Sequence, residues 1–282
     1  MKTHERANPV NREYLEQHKG FHRKKLSFFR RITIASFDAV RSGHNMIAMV
    51  ELDVTNAREA LRTERKKGRT LSFLAYVIKS ISLALDENRE LNSIRCGKHI
   101  VEYEGVDVNL PIELKSQEER APHLFVIRDA SKKTIERITA EISNAKKRYE
   151  EAGYAGESDR RSIGLMKVLM ILPGFVRSVI LRRITKNPAR VREISGTTFL
   201  TSVGMFGSIS GFVVPYVVGE RAVYFALGSI VRKPAVVKQE VIPREFLSMT
   251  MVFNHDIVDG APAARFANRL RRLIEGAESL RY

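Results

Sequence analysis

A histidine followed four and five residues later by an aspartate-glycine pair is the part of this sequence best suited to chemistry. His255, Asp259 and Gly260 lie in the stretch FNHDIVDGAPAARFANRLRRLIE, residues 253–275. A neutral imidazole takes a proton from a thiol or hydroxyl near pH 7, which is the usual role of a general base. An isolated histidine at a strand end is more often structural, so the assignment depends on the elements around it.

The residues on either side of His255 predict a strand that ends at the histidine and a helix that follows it closely. MTMVFNH alternates as a strand does, and Pro262 suits the first turn of a helix. A junction between a strand and a helix fixes a side chain at the edge of a sheet, where catalytic groups are commonly presented. We therefore expect His255 to lie at a sheet edge.

Strands and helices alternate along the rest of the chain. NMIAMVELDVT, residues 45–55, is strand-like, and Thr55 is placed to cap the helix NAREALRTERKKG, which Gly68 ends. TLSFLAYVIKSISLALDEN predicts a second helix, and a third carries an apolar stripe of Ile135, Ile138, Ile142, Ala145 and Tyr149. SGTTFLTSVGMFG, RAVYFALGSIV and PREFLSMTMVFNH are strand-like. The pattern predicts an α/β fold, with a polar tail at residues 1–25 and one domain over residues 26–282.

The cysteine content and the N-terminus restrict the class of protein. Cys96 is the only cysteine, which excludes an intrachain disulfide and a cysteine-rich zinc site and fits a reducing compartment. We expect no metal. The first 25 residues are polar and contain no apolar stretch, so they indicate neither a signal peptide nor an anchor. The sequence therefore predicts a cytoplasmic protein.

An apolar and basic segment at about residues 154–193 has two interpretations. The net charge is +16, and nine basic residues but no acidic ones lie between residues 160 and 192. Lys167, Pro173 and Arg177 interrupt the apolar run, so it does not span a membrane, and Pro173-Gly174 divides it into two short helices. One interpretation is a helical hairpin that packs on the domain or on a neighbouring subunit. The other is an interfacial helix pair that makes peripheral membrane contact through residues 160–192. No motif supports nucleic-acid binding.

Several segments resemble one family. HDIVDGAPAARF, residues 255–266, closely resembles the active-site motif in the catalytic domain of 2-oxo acid dehydrogenase (dihydrolipoamide) acyltransferases, which share their fold with chloramphenicol acetyltransferase. GTTFLTSVGMFG, residues 196–207, and the run into the histidine are similar to the family, as are VELDVTNAREAL and RELNSI. The resemblance covers about residues 30–282, with residues 154–193 as an enlargement. It implies a chloramphenicol acetyltransferase-like fold, a two-layer mixed sheet with helices, in a homotrimer or a higher assembly.

The resemblance also implies roles for individual residues. His255 would remove the thiol proton from coenzyme A or dihydrolipoamide, so that the thiolate attacks an acyl thioester without an acyl-enzyme. Asp259 would hold the loop and the imidazole geometry, and Gly260 would allow the tight turn into the helix. Thr201 would stabilise the tetrahedral oxyanion, with Ser202 in its place if the register slips by one. Because the family's site lies between subunits, His255 and Thr201 would come from different chains.

The sequence departs from the family at two neighbours of the histidine and at its N-terminus. The family usually has Asp before and Arg after the histidine, where this chain has Asn254 and Asp256. Such a charge reversal would raise the pKa of the base or alter a local ion pair. Only about 25 polar residues precede the catalytic domain, so we expect a stand-alone catalytic domain without lipoyl and subunit-binding domains.

The expected substrates follow from that organisation. Coenzyme A, as acyl-CoA, would be a substrate, although the sequence identifies no residues that bind it. A lipoyl group would enter only on a separate lipoylated carrier protein, and otherwise the acyl group would pass between coenzyme A and another small acceptor. The alternative is a non-catalytic scaffold of the same fold that anchors a complex or a membrane.

Overall fold

The computed structural model describes residues 26, 28–39, 43–113, 122–152, 164, 168–204, 210–217 and 219–281. The predicted tail at residues 1–25 lies outside the described residues. The α-helices that are described over their whole length are α1 (Phe28–Ala39), α2 (Thr55–Lys66), α3 (Phe73–Glu87), α4 (Ile135–Ala152), α5 (Gly174–Thr185), α6 (Pro188–Ser195) and α7 (Gly260–Glu275). The strands there are β1 (Asn45–Asp53), β2 (Ser93–Cys96), β3 (His99–Glu102), β4 (Val108–Glu113), β5 (Pro122–Ile127), β6 (Thr198–Ser202), β7 (Val223–Val237) and β8 (Glu240–Asn254).

A six-stranded mixed sheet forms the centre of the fold, in the order β1-β8-β7-β6-β4-β5. β6 pairs in parallel with β4 and β7, whereas the other neighbours are antiparallel. β7 and β8 form a long hairpin whose turn contains Lys238 and Gln239 with positive φ. A separate antiparallel pair, β2 and β3, lies beside the start of β7, because Ile94 bridges Arg221. The predicted α/β class with a mixed sheet is confirmed.

Helices cover the sheet through alternate residues of its strands. Along β8, Met249, Met251 and Phe253 are almost fully buried in the main core, as expected for the inward-facing positions of a strand with period two. Phe253 meets the ring of Phe266 from α7 edge-on, and Phe225 from β7 also packs on that ring. These contacts fix α7 on the sheet directly beyond the end of β8.

The helical stripe predicted from Ile135 to Tyr149 is confirmed in α4. Its first four members are buried and Tyr149 packs partly buried against the same core. The predicted cap at Thr55 is wrong, because Thr55 is already the first residue of α2 and makes no cap hydrogen bond. Its hydroxyl donates to Asp53 at 2.7 Å and accepts the backbone N–H of Glu245 at 2.8 Å. The side chain therefore joins the end of β1 to β8.

The apolar and basic segment contains helices on either side of a short break, as far as it is described. Pro173 precedes the first residue of α5, as the Pro173-Gly174 pair predicts. α5 packs against α1 and α6, and Arg192 of α6 pairs with Asp107 at 2.9 Å. Residues 153–163 and 165–167 lie outside the described residues. No described helix is both long enough and apolar enough to cross a membrane.

Candidate active site

His255 is the first residue after β8, at the sheet edge where the sequence predicts it. Its backbone N–H donates to the carbonyl of His44 at 2.6 Å. The last paired residues of the two strands are Asn45 and Asn254, so this bond continues the ladder by one step. The His255 side chain is 48% exposed. The imidazole is therefore held by its backbone and remains accessible to a substrate.

Asp259 lies four residues further on, at the start of α7. Its Oδ1 atom is 3.6 Å from His255 Nδ1, and its side chain is 84% exposed. This separation allows a favourable charge interaction with an imidazolium but is too long for a hydrogen bond. Gly260 does not have a positive φ, and a side chain there would meet open space. Within a single chain, the turn does not require glycine at this position.

Asp256 is the centre of a charged network whose other members sequence reasoning missed. Its carboxylate accepts a hydrogen bond from His44 Nδ1 at 2.8 Å and pairs with Arg95 Nη1 at 3.2 Å. Arg95 also donates through Nε to Glu220 at 2.8 Å. The hydrogen bond from His44, together with the charges of Arg95 and His255, lowers the pKa of Asp256. The charge reversal after the histidine therefore gives a local ion pair that holds the turn.

Asn254, immediately before the histidine, is buried and also shapes the turn. Its Oδ1 accepts the backbone N–H of Asp256 at 3.0 Å. A side chain at Gly43 would collide with the Asn254 side chain. The close approach of Gly43 to Asn254 explains why the chain can enter β1 directly beside the His255 turn.

Thr201 and Ser202 lie in β6, two strands away from β8. Thr201 is opposite Ala226, and Ala226 is opposite Thr250, five residues before His255. Standard strand dimensions place Thr201 about 20 Å from His255 within the chain. Ser202 points to the opposite face of the sheet from Thr201, because side chains alternate along a strand. A single chain does not bring either hydroxyl to the histidine.

The end of β6 is nevertheless fixed tightly. A Cβ atom at Gly204 would collide with the backbone carbonyl of Gly228 in β7. The start of β6 is also anchored, because Thr197 and Thr198 donate their backbone N–H groups to the Asp107 carbonyl at 2.8 and 3.1 Å. The segment that carries Thr201 is therefore rigid, although the predicted base does not lie beside it in the same chain.

The sequence model of the 2-oxoacid dehydrogenases acyltransferase (catalytic domain) matches residues 18–158 and 178–281, which is most of the chain. The chain belongs to this acyltransferase family. The resemblance predicted from the His255 motif and the flanking segments is confirmed. The gap inside the match, residues 159–177, lies within the apolar and basic segment, and the acyltransferase match resumes inside α5.

Individual relatives agree with the acyltransferase assignment. The chain is 24% identical over 240 residues to the lipoamide acyltransferase component of the branched-chain alpha-keto acid dehydrogenase complex of Bacillus subtilis (strain 168), covering 82% of this chain and 46% of the relative. The chain spans about half the length of the curated relatives it matches.

Two solved structures show the same fold at low sequence identity. A dihydrolipoamide acetyltransferase from Azotobacter vinelandii has a TM-score of 0.71 at 15% identity, covering 98% of this chain and 99% of that chain. Its catalytic mechanism has been investigated through a serine, a histidine and an asparagine four residues after the histidine. A chloramphenicol acetyltransferase has a TM-score of 0.51 at 13% identity, covering 89% of this chain and 96% of that chain. The predicted chloramphenicol acetyltransferase-like fold is confirmed.

The candidate site is accessible to sequence reasoning only in part. The HxxxDG spacing and the strand-to-helix junction predict His255 and Asp259 as site residues from the amino-acid sequence alone. His44 and Arg95 carry no motif, and they reach Asp256 across sequence separations that local patterns do not encode. Among the described residues, no group of three His, Cys, Asp or Glu side chains could hold a metal ion.

Proposed function

We propose that this chain is an acyltransferase that moves an acyl group between coenzyme A and a thiol such as dihydrolipoyl, or another small acceptor, with His255 as the general base. The observation that carries the proposal is the accessible imidazole of His255 at the end of β8, with Asp259 3.6 Å from its Nδ1 atom. Because Nδ1 faces Asp259, Nε2 is the nitrogen available to a substrate. Membership of the acyltransferase family supports the reaction class.

The reaction is a direct exchange between two thiols. His255 Nε2 accepts the proton of the incoming thiol, and the thiolate attacks the carbonyl carbon of the acyl thioester. The tetrahedral intermediate collapses by breaking the bond to the original sulfur, and the imidazolium returns its proton to that departing thiolate. Asp259 stabilises the imidazolium while it exists. Each cycle therefore leaves the enzyme unchanged and forms no acyl-enzyme.

We further propose that Thr201 of a neighbouring chain donates its hydroxyl to the oxyanion, in a homotrimer or a higher assembly. The separation of about 20 Å between Thr201 and His255 within the chain supports a site completed by a second copy. The edge strand β1 supports the same arrangement, because Ile47 and Met49 are exposed on it, and an uncovered apolar edge strand is a surface that proteins usually protect. The Azotobacter enzyme offers comparable chemical groups: a hydroxyl, an imidazole and a polar side chain four residues beyond it.

The same proposal leaves two routes by which the acyl group can reach its acceptor. Either a lipoylated carrier presents the dihydrolipoyl thiol, or acyl-CoA donates to another small acceptor. The two cases differ in whether acyl-CoA and a small acceptor support turnover without any lipoylated protein.

The decisive experiment compares the wild type with His255→Ala, using acyl-CoA donors of different chain length and thiol, alcohol and amine acceptors, with products followed by mass spectrometry. Loss of a general base lowers kcat by about 10²–10⁴. His99→Ala, at an exposed histidine of β3, is the matched control and should retain full activity. Turnover that His255→Ala leaves untouched would refute the assignment, and a folded assembly without turnover for any donor would favour the scaffold alternative.

A further inference from the structure

The outer face of α5 and the residues just before it form a surface that the acyltransferase proposal does not use. Ile171, Phe175 and Val179 are 84%, 74% and 60% exposed. Further along α5, Arg182, Arg183 and Lys186 are exposed as well. Phe175, Val179, Arg182 and Arg183 follow the helical spacing that places residues on one face. The surface therefore has an apolar zone followed by a cationic zone along the same helix.

The apolar zone is not the face with which α5 packs on the domain. Val176, Leu181 and Ile184 are partly buried, and α5 packs against α1 and α6. Arg177 reaches back to the sulfur of Met170 at 3.8 Å across the Pro173 break. Because the inner face is occupied by the domain, the described part of the chain leaves the three large apolar side chains on the outside uncovered.

Charge restricts what that partner is. Residues 160–192 contain nine basic residues and no acidic ones, within a chain of net charge +16. A second copy that presented the same surface would bring its own arginines and lysines against these, so a contact of this surface with itself is opposed by repulsion. A partner that is both apolar and anionic satisfies the two zones together.

We propose that this surface binds the surface of an anionic phospholipid bilayer. Ile171, Phe175 and Val179 enter the boundary between headgroups and acyl chains, and the cations contact lipid phosphates. The rise along a helix places Arg182 about 10 Å beyond Phe175, and side chains of interfacial helices enter this boundary by about 5–10 Å. The apolar and cationic zones are thus spaced as a bilayer surface requires.

The arrangement also defines how the helix meets the membrane. A helix lying flat carries apolar residues on one side and cations on the other along its length. On α5 the apolar and cationic residues lie on the same face and are separated along the helix axis. The N-terminal, apolar end of α5 therefore enters the membrane boundary first. This inference is independent of the acyltransferase proposal, because neither His255 nor Thr201 takes part.

The test is flotation of the purified protein with vesicles of phosphatidylcholine containing phosphatidylglycerol, and with vesicles of phosphatidylcholine alone. We expect the wild type to bind the anionic vesicles selectively and to be released by salt. Arg182→Gln/Arg183→Gln should bind about 30-fold more weakly, because each cation near an anionic membrane surface contributes about 1 kcal/mol to binding. Phe175→Ser/Val179→Ser should bind the anionic vesicles at least about tenfold more weakly.

Matched controls separate a specific surface from general properties of the chain. Arg65→Gln/Lys66→Gln removes the same charge from the exposed end of α2. Val236→Ser/Val241→Ser removes two side chains that are 75% and 70% exposed and lie opposite each other in the β7–β8 hairpin. Both controls should bind as the wild type does, and circular dichroism should show all variants folded.

Three outcomes would overturn the proposal. The first is equal binding of the wild type to both kinds of vesicle, and the second is equal weakening by the α5 variants and their controls. The third is a loss of oligomer mass in Phe175→Ser/Val179→Ser with unchanged vesicle binding, which would identify the apolar zone as a contact between copies of the chain.

Discussion

The turn at His255 and the strand that carries Thr201 are both rigid. A single chain supplies the neighbours of His255, but it does not bring Thr201 close to that histidine. At the turn, the base has its backbone hydrogen bond to His44, its carboxylate neighbour Asp259 and the Asp256 network. Thr201 is equally well fixed by β6, yet lies about 20 Å from the base. The proposed proton transfer can therefore be assembled within one chain, whereas the proposed oxyanion stabilisation by Thr201 requires a second chain.

The largest effect is expected in assemblies that combine chains carrying His255→Ala with chains carrying Thr201→Val. His255→Ala and Thr201→Val should each lose at least about 10²-fold in kcat. If the site lies between chains, co-expressed and doubly tagged mixed trimers regain one intact site in three, or about one third of the wild-type activity. The measurement is turnover of affinity-purified mixed assemblies.

Complementation fails if both residues act from the same chain. Ser202→Ala is the control for register, and it should retain activity. Loss of activity in Ser202→Ala but not in Thr201→Val would move the oxyanion donor to Ser202.

The sequence predicts these two regions with different success, for physical reasons. The turn at His255 is encoded locally, since strand alternation, the HxxxDG spacing and Pro262 all lie within a few residues of one another. The His44 and Arg95 contacts depend on the register of β1 and β2 against distant segments, which periodicity does not encode. The cap predicted at Thr55 is wrong for a similar reason, because its hydroxyl bonds Asp53 and the Glu245 N–H of a distant strand instead of capping α2.

An aspartate anchors each of the two regions, Asp107 at the start of β6 and Asp256 at the turn after His255. Burial alone would raise the pKa of Asp107, but hydrogen bonds from Arg192, the Asp129 N–H and Arg128 outweigh it, so its pKa is lowered overall. Asp107→Asn weakens charged hydrogen bonds around a buried group, and we expect a loss of about 2–3 kcal/mol in the free energy of unfolding. Denaturant titration measures this loss. Asp129→Asn, at a half-exposed neighbour in the same network, should cost much less.

The lowered pKa of Asp107 also predicts a pH dependence. A carboxyl group with a lower pKa in the folded state stabilises the fold above its unfolded pKa of about 3.9, and that contribution is lost as pH falls through the folded value. Wild-type stability should therefore decline below about pH 4 more steeply than that of Asp107→Asn. Parallel curves for the two proteins would contradict this account.

Gly204, beyond the end of β6, and Gly260, at the start of α7, should respond differently to substitution by alanine. Gly204→Ala places a Cβ atom against the Gly228 carbonyl, and overpacking of this kind costs about 1–3 kcal/mol. Gly260→Ala meets open space at the start of α7 and should leave stability unchanged or raise it by up to about 1 kcal/mol. Thermal unfolding of both variants measures the contrast. If Gly260→Ala lost activity while remaining stable, the proposed tight turn would matter to the assembled site and not to the single chain.

The smallest effect is expected at Asp256, because its network positions the turn without contacting the reacting atoms. Asp256→Asn removes the charge that pairs with His44 and Arg95, and exposed pairs of this kind contribute about 0–1 kcal/mol to stability. We expect a fall in kcat of less than about tenfold, with KM unchanged. Glu220→Gln, which disturbs Arg95 without touching the turn, should have a smaller effect. Because the pKa of Asp256 is lowered, its contribution should persist at neutral pH and disappear as pH falls below the usual range of aspartate. A loss as large as that of His255→Ala would mean that Asp256 takes part in the chemistry directly.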